Sequence, residues 1–117
     1  MQLRDELASH QYLVRISLSP EDIAGEQAPP YYLLISRNFY LWKFINDVEN
    51  FFDPYAAKVI SSRQLWFEYH KQPIYYDFPF GLVYDLYVMG EEDSKQPEQQ
   101  EQAIEITCHL TNPPKHF

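Results

Sequence analysis

Glycine, cysteine and basic side chains are all scarce in this sequence, and each shortage removes a class of function. Gly25, Gly81 and Gly90 are the only glycines in 117 residues, too far apart for the glycine-rich turns that cradle nucleotide phosphates. No nucleotide cofactor is expected. Cys108 is the single cysteine, so no internal disulfide can form, and the N-terminal residues carry no apolar secretion segment. Together these point to a reducing, cytosolic setting. No apolar run approaches the roughly 20 residues that cross a bilayer as a helix, because Arg, Lys, Asp or Pro interrupts every candidate. Lys and Arg number 9 against 17 Asp and Glu, a net charge of -8, and the nine are scattered. Such a field repels phosphate backbones and anionic headgroups, so nucleic acid is not an expected partner and direct membrane binding has no support. His10, His70, His109 and His116 lack any paired spacing that would set two ligands on one face, so no metal site is expected.

What the chain has in abundance is apolar surface, above all aromatic: ten Tyr, eight Phe and two Trp. That composition folds, and the length suits one domain with one core. Residues 1–10 read as an N-terminal extension with a helical stretch from Leu3 to Ala8, residues 11–110 as the domain, and 111–117 as a tail. Within the domain, Tyr12 to Leu18 alternates apolar and polar positions as a half-buried strand does. A loop through Ser19-Pro20, Gly25 and two prolines leads to a second strand, Tyr31 to Ile35.

From Leu41 the period changes. Leu41, Phe44, Ile45, Val48, Phe51 and Phe52 recur at three- and four-residue steps, the stripe of an amphipathic helix. Ser36 or Asn38 is expected to cap it and Asp53-Pro54 to end it. A helical turn around Ala56, Ala57 and Val59 is open. Leu65 to Tyr69 reads as a third strand, His70 to Pro73 as a turn and Ile74 to Tyr76 as a fourth strand. A short helix follows, capped by Asp77 or Phe78, with Pro79 in its first turn and Leu82, Val83 and Leu86 facing inward. Residues 90–102 carry no large apolar side chain and are expected to form a mobile acidic loop. Ala103 to Leu110 alternates again, with Ile104, Ile106, Cys108 and Leu110 on one face. Cys108 and His109 therefore point to opposite sides and cannot form a thiol-imidazole pair.

This order of elements predicts an α+β fold: a mixed sheet of about five strands with one long helix across one face and a short second helix, the β-grasp arrangement of ubiquitin. A right-handed crossover through the long helix would place the last strand beside the first.

The stretch Trp66-Phe67-Glu68-Tyr69, then Pro73, then Phe78-Pro79-Phe80-Gly81-Leu82-Val83-Tyr84-Asp85-Leu86, resembles the N-terminal part of the autophagy-related protein 5 family. So does Pro30-Tyr31-Tyr32-Leu33-Leu34, leading through Ser36-Arg37 to Tyr40-Leu41. The physical reading of that block is that Gly81 permits a close approach of the short helix to a strand, while Pro73 and Pro79 fix corners. Asp85 is free to accept hydrogen bonds from a nearby loop or from Trp66 Nε1.

The resemblance, which runs from about Leu3 to about His109, implies the first of two ubiquitin-like domains flanking a helix-rich middle. It implies a non-enzymatic scaffold that is joined, usually covalently, to the ubiquitin-like autophagy-related protein 12 and binds the coiled-coil autophagy-related protein 16. That assembly promotes transfer of another ubiquitin-like protein to phosphatidylethanolamine. It works in the cytoplasm and, through the complex alone, at the periphery of the preautophagosomal membrane. The family's acceptor lysine lies beyond the region matched here, so none of Lys43, Lys58, Lys71, Lys95 or Lys115 is expected to serve. The chain ends without the glycine of a conjugated modifier.

The aromatic surplus is the remaining signal, because Tyr31, Tyr32, Tyr40, Trp42, Phe78 and others cannot all fit under one small sheet. Some must reach the surface, where aromatic side chains anchor interfaces. Tyr75, Tyr76, Phe80, Tyr84 and Tyr87, on the sheet rim and short helix, are the candidates for docking a partner helix or the downstream domains of the same protein. The competing reading is a small ligand-binding or enzymatic domain in which Glu68, Asp77 or Asp85 acts as acid or base.

Overall fold

A computed structural model of the chain describes residues 11–25, 27–57, 64–75, 77–88, 103–111 and 113. The expected N-terminal helix, the acidic loop, the greater part of the tail, Val59 and Tyr76 lie outside the described residues.

Five strands form one mixed sheet in the order β2-β1-β5-β3-β4. They are β1 (Gln11–Leu18), β2 (Tyr31–Ser36), β3 (Trp66–Tyr69), β4 (Gln72–Ile74) and β5 (Ile104–His109). The last strand runs parallel to the first, Ile16 beside Ile106 and Leu18 beside Cys108, and antiparallel to β3. Strands one and three thus flank the middle strand, as the crossover argument requires. Alternation along β1 buries Tyr12, Val14, Ile16 and Leu18, and along β5 it buries Ile106 and Cys108.

The helix that fills the inner side begins as a 3₁₀ turn, Leu41–Phe44, and continues as α1, Ile45–Phe52. Leu41, Ile45, Val48 and Phe52 are buried, with Phe44 and Phe51 packed at the rim. Burying four large apolar side chains at about 1.5–3 kcal/mol each makes this helix a main support of the core. No side-chain cap is present. The N-cap position falls on Tyr40, beyond Ser36 and Asn38; the Ser36 carbonyl accepts the Phe39 amide and the Tyr40 carbonyl the Lys43 amide in tight backbone turns. At the other end the α-helix stops at Phe52, as Asp53-Pro54 leads one to expect, and Asp53–Tyr55 adds a 3₁₀ turn before the chain becomes extended at Ala56. Ala56 then bridges Ile23 in extended geometry, and the Ala57 amide donates to the Asp22 carbonyl, so no helical turn forms at Ala56-Ala57.

The buried Asp22 carboxylate accepts the Leu110 amide at 3.1 Å and the Thr111 hydroxyl at 3.2 Å. One side chain thereby ties the loop after β1 to the end of β5, satisfying groups that would otherwise be desolvated without partners.

The turn between β3 and β4 is narrower than the sequence suggests. Only His70 and Lys71 separate paired Tyr69 and Gln72, and both have positive φ, 47° and 72°. Two left-handed residues give the twist that matches a tight hairpin, so β4 starts at Gln72, earlier than the expected Ile74. The His70 ring stacks on Tyr69 with centroids 4.1 Å apart.

Candidate functional site

The second helix, α2 (Phe80–Val83), runs into a wide π turn, Tyr84–Val88. Its start is pinned to the chain leaving β2. The Phe80 amide donates to the Phe39 carbonyl at 2.7 Å, the Gly81 amide to the Arg37 carbonyl at 2.9 Å, and Pro79 bridges Tyr40. Gly81 explains the closeness. A Cβ there would sit 2.9 Å from Arg37 Cζ and 3.0 Å from Arg37 Cβ, nearer than such contacts allow, so the glycine serves close approach as expected.

Arg37 organises the corner. Its guanidinium donates to the Tyr12 hydroxyl at 2.6 Å and to the Asp85 carboxylate at 3.0 Å. The hydrogen bond to Asp85, then that to Tyr12, holds the guanidinium above its ordinary pKa. Asp85 is therefore a partner of Arg37. Trp66 Nε1 instead donates to the Thr111 carbonyl at 3.0 Å. The Tyr84 ring stacks on Tyr12 with centroids 4.5 Å apart, and the Tyr87 hydroxyl donates to the Pro73 carbonyl at 2.8 Å.

These contacts redistribute the partner-binding candidates. Phe80 is fully buried and belongs to the core, which corrects its assignment to a docking surface. Tyr84 and Tyr87 are half-buried beneath the helix, and burial pushes the Tyr87 phenol above its usual value. Tyr75 is exposed beside Phe78. The inner face consists of Phe80, Val83 and Val88, with Tyr84 and Tyr87 at its rim; Leu82 and Leu86 point outward, contrary to expectation. The cause is phase. Counting from Phe80 in steps of three and four gives 83, 84, 87 and 88, and the π turn fits that set, whereas the eye takes leucines for core and tyrosines for surface.

The exposed apolar side chains near this helix are therefore Leu82, 39% exposed, Leu86, 59% exposed, and Phe39, 50% exposed, whose carbonyl receives the helix's first amide. Trp42 is also exposed, with the Lys43 ammonium 5.5 Å from its ring centre.

Two of the three carboxylates of the enzymatic reading have partners of their own. Glu68 pairs with His109 on the open face of the sheet, where the imidazole stacks on Trp66 at 4.2 Å. Asp85 pairs with Arg37 beside α2. Asp77 is exposed. An open cavity of about 360 Å³ lies among Arg15, Ser17, Pro20, Ile23, Gln27 and Pro30, and none of these carboxylates lines it. Cys108 is buried, and desolvation, with Asp22 adding a smaller effect, pushes its thiol well above the ordinary range; that favours the unreactive protonated form. Among the described residues no group of three or more His, Cys, Asp or Glu is placed to hold a metal, and no helix is long and apolar enough to cross a membrane.

Comparison with known proteins gives this arrangement its context. Residues 9–110 match the family model described as autophagy protein ATG5, UblA domain. The chain belongs to the autophagy protein 5 family. Autophagy protein 5 of Pichia angusta is 33% identical over 76 residues, covering 63% of this chain and 27% of that protein. The Drosophila melanogaster protein of the same name is 34% identical over 74 residues, with the same coverages. The crystal structure of Kluyveromyces marxianus Atg5 superposes with a TM-score of 0.77 at 17% identity, over 99% of this chain and 44% of that one. The chain thus spans about a quarter of the length of these curated relatives and less than half of the solved chain. What aligns is the ubiquitin-like β-grasp domain.

Proposed function

We propose that this chain is a non-catalytic scaffold domain of the autophagy conjugation machinery. It holds the ubiquitin-like autophagy-related protein 12 and the coiled-coil autophagy-related protein 16 so that a further ubiquitin-like protein is transferred to lipid at the preautophagosomal membrane, which the domain reaches only as part of the complex. Membership of the autophagy protein 5 family supports the reading at the level of process.

The observation that carries the contact chemistry is the outward pair Leu82 and Leu86, with Phe39 beside the helix start. Two leucines four residues apart form one stripe of a helix, and an amphipathic partner helix covers such a stripe with its own apolar face. Arg37 and Asp85 lie next to it, each about two-fifths exposed, and supply a polar rim. Tyr75 extends the apolar surface at the hairpin edge. Phe80, Tyr84 and Tyr87 act from beneath by fixing the helix.

The test is a binding titration of the protein with its downstream region, with and without Leu82→Asp and Leu86→Asp, against the N-terminal helix of an autophagy-related protein 16 homologue. Both side chains are exposed, so the variant should fold as the parent does. Binding should weaken by at least about tenfold, the effect of losing an interface contact worth about 1.4 kcal/mol. Equal affinity for parent and variant would remove this stripe from the partner surface.

A further inference from the structure

The two edges of the sheet are built differently. β4 is three residues long and carries Pro73 at its centre; shortness and a missing amide hydrogen are common ways of preventing another strand from joining. β2, at the opposite edge, has neither device. Its six residues, Tyr-Tyr-Leu-Leu-Ile-Ser, contain no charge and no proline, and they pair with β1 at six consecutive positions without a bulge. Among the described residues, apart from the β1 ladder and the turn bond from Phe39 to Ser36, no backbone hydrogen bond reaches Tyr31–Ser36.

The side chains around this edge are also specific. On the open face Tyr32 is 54% exposed, Leu34 57% and Leu13, opposite Leu34, 44%. On the helical side Tyr31 packs against Phe51 with centroids 5.1 Å apart, and its phenol is pushed up by burial and, to a lesser degree, by Asp47. α1 carries Asp47 and Glu49 and no basic residue. The bases near β2 are already engaged: Arg15 with Glu105, Arg37 with Asp85, and Lys43 over the Trp42 ring. Asp47 has no ion pair among the described residues.

We infer that β2 accepts an extended segment of another protein as a sixth strand. A free edge of alternating amide and carbonyl groups is matched only by another extended backbone. The exposed apolar positions favour a guest with apolar side chains at every second residue, and the acidic helix favours Lys or Arg where the guest passes Asp47. A second copy of the chain fits worse. The net charge of -8 opposes self-association. Antiparallel pairing of two β2 strands about a two-fold axis would also set both acidic α1 helices on the same side of the joined sheet.

The test uses the isotope-labelled chain and three peptides. They are Lys-Thr-Val-Thr-Val-Thr-Val-Thr-Lys, the same peptide with Glu at both ends, and the Lys peptide with prolines at two consecutive central positions, which removes an amide hydrogen from each of its edges. The Lys peptide should shift the amide resonances of Tyr31–Ser36. The Glu peptide should bind about fivefold more weakly, and the proline peptide should not bind. Asp47→Asn should reduce the preference for Lys over Glu while leaving binding in place. Absence of binding at millimolar peptide, shifts centred elsewhere, or binding that survives the prolines would overturn the assignment. Concentration-dependent dimers that occupy the same amides without peptide would replace it with self-pairing.

Discussion

The two helical segments divide the same task unequally. α1 buries Ile45, Val48 and Phe52, and its outer positions are polar, Asn46, Asp47 and Asn50. α2 and its π turn bury Phe80, Val83 and Val88 and are apolar almost all round, with Leu82 and Leu86 left in solvent. A helix that serves only the core shows one apolar stripe; one that is apolar on both sides has a second surface to satisfy. The difference separates packing from contact, and substitutions can test how far that separation holds.

The largest effects should be the same for both helices, because both reach the same core. Phe52 and Phe80 are each fully buried, and replacing either with alanine should destabilise the fold by about 3–5 kcal/mol through lost transfer energy and a cavity. Urea unfolding measures this. A loss at Phe80 far smaller than at Phe52 would mean that α2 is a loosely attached contact element.

Gly81→Ala should discriminate between the helices, since only the second lies so close to a neighbouring segment. The new methyl would meet Arg37 at 2.9–3.0 Å, forcing the guanidinium from Tyr12 and Asp85 at a cost of about 1–3 kcal/mol. In an Arg37→Ala background the added cost should shrink, because the atoms at Cζ and Nε are gone, and the two substitutions should not be additive. Additive effects would place the strain elsewhere.

Tyr87→Phe should have a smaller effect. It removes the hydrogen bond to the Pro73 carbonyl, worth about 0.5–1.5 kcal/mol. There is a pH signature as well. Burial raises the Tyr87 phenol above 10.0, so the folded state holds that proton more firmly than the unfolded chain. The contribution is complete below pH 10.0 and declines as pH rises through the raised folded value. The phenylalanine variant should therefore lose stability less steeply in that alkaline window, as chemical denaturation at stepped pH would show.

How much of this was legible in the sequence depends on contrast. Strands β1 and β5 and helix α1 alternate clearly between apolar and polar residues, so these elements and the burial of Cys108 followed from pattern, while the place of β5 beside β1 followed from the β-grasp arrangement and its crossover. Helix α2 offers no such contrast: Phe80, Leu82, Val83, Tyr84, Leu86 and Tyr87 are all apolar or amphipathic, and only contact with Tyr12, Arg37 and Pro73 selects which turn inward. The same blindness hid Phe39, whose role depends on a backbone bond to Phe80 across about 40 residues of sequence. Caps failed for another reason. Ser36 and Asn38 suit the capping role chemically, yet the helix starts later, with Tyr40 at the cap position and its carbonyl accepting the Lys43 amide.

The smallest expected effect is the most informative about the second helix. Leu86 is 59% exposed and Val83 only 1%, so truncating each to alanine separates surface from core within one turn. Val83→Ala removes two buried methyl groups and should destabilise the fold by about 1–2 kcal/mol. Leu86→Ala removes more carbon yet should change stability by less than about 0.5 kcal/mol, because its atoms are already largely in water. If Leu86→Ala instead cost as much as Val83→Ala, the leucine would be packing against this chain, and the stripe assigned to partner contact would be part of the core. If it costs nothing and weakens binding of the partner helix, the outward phase of α2 is a contact surface that folding alone would not maintain.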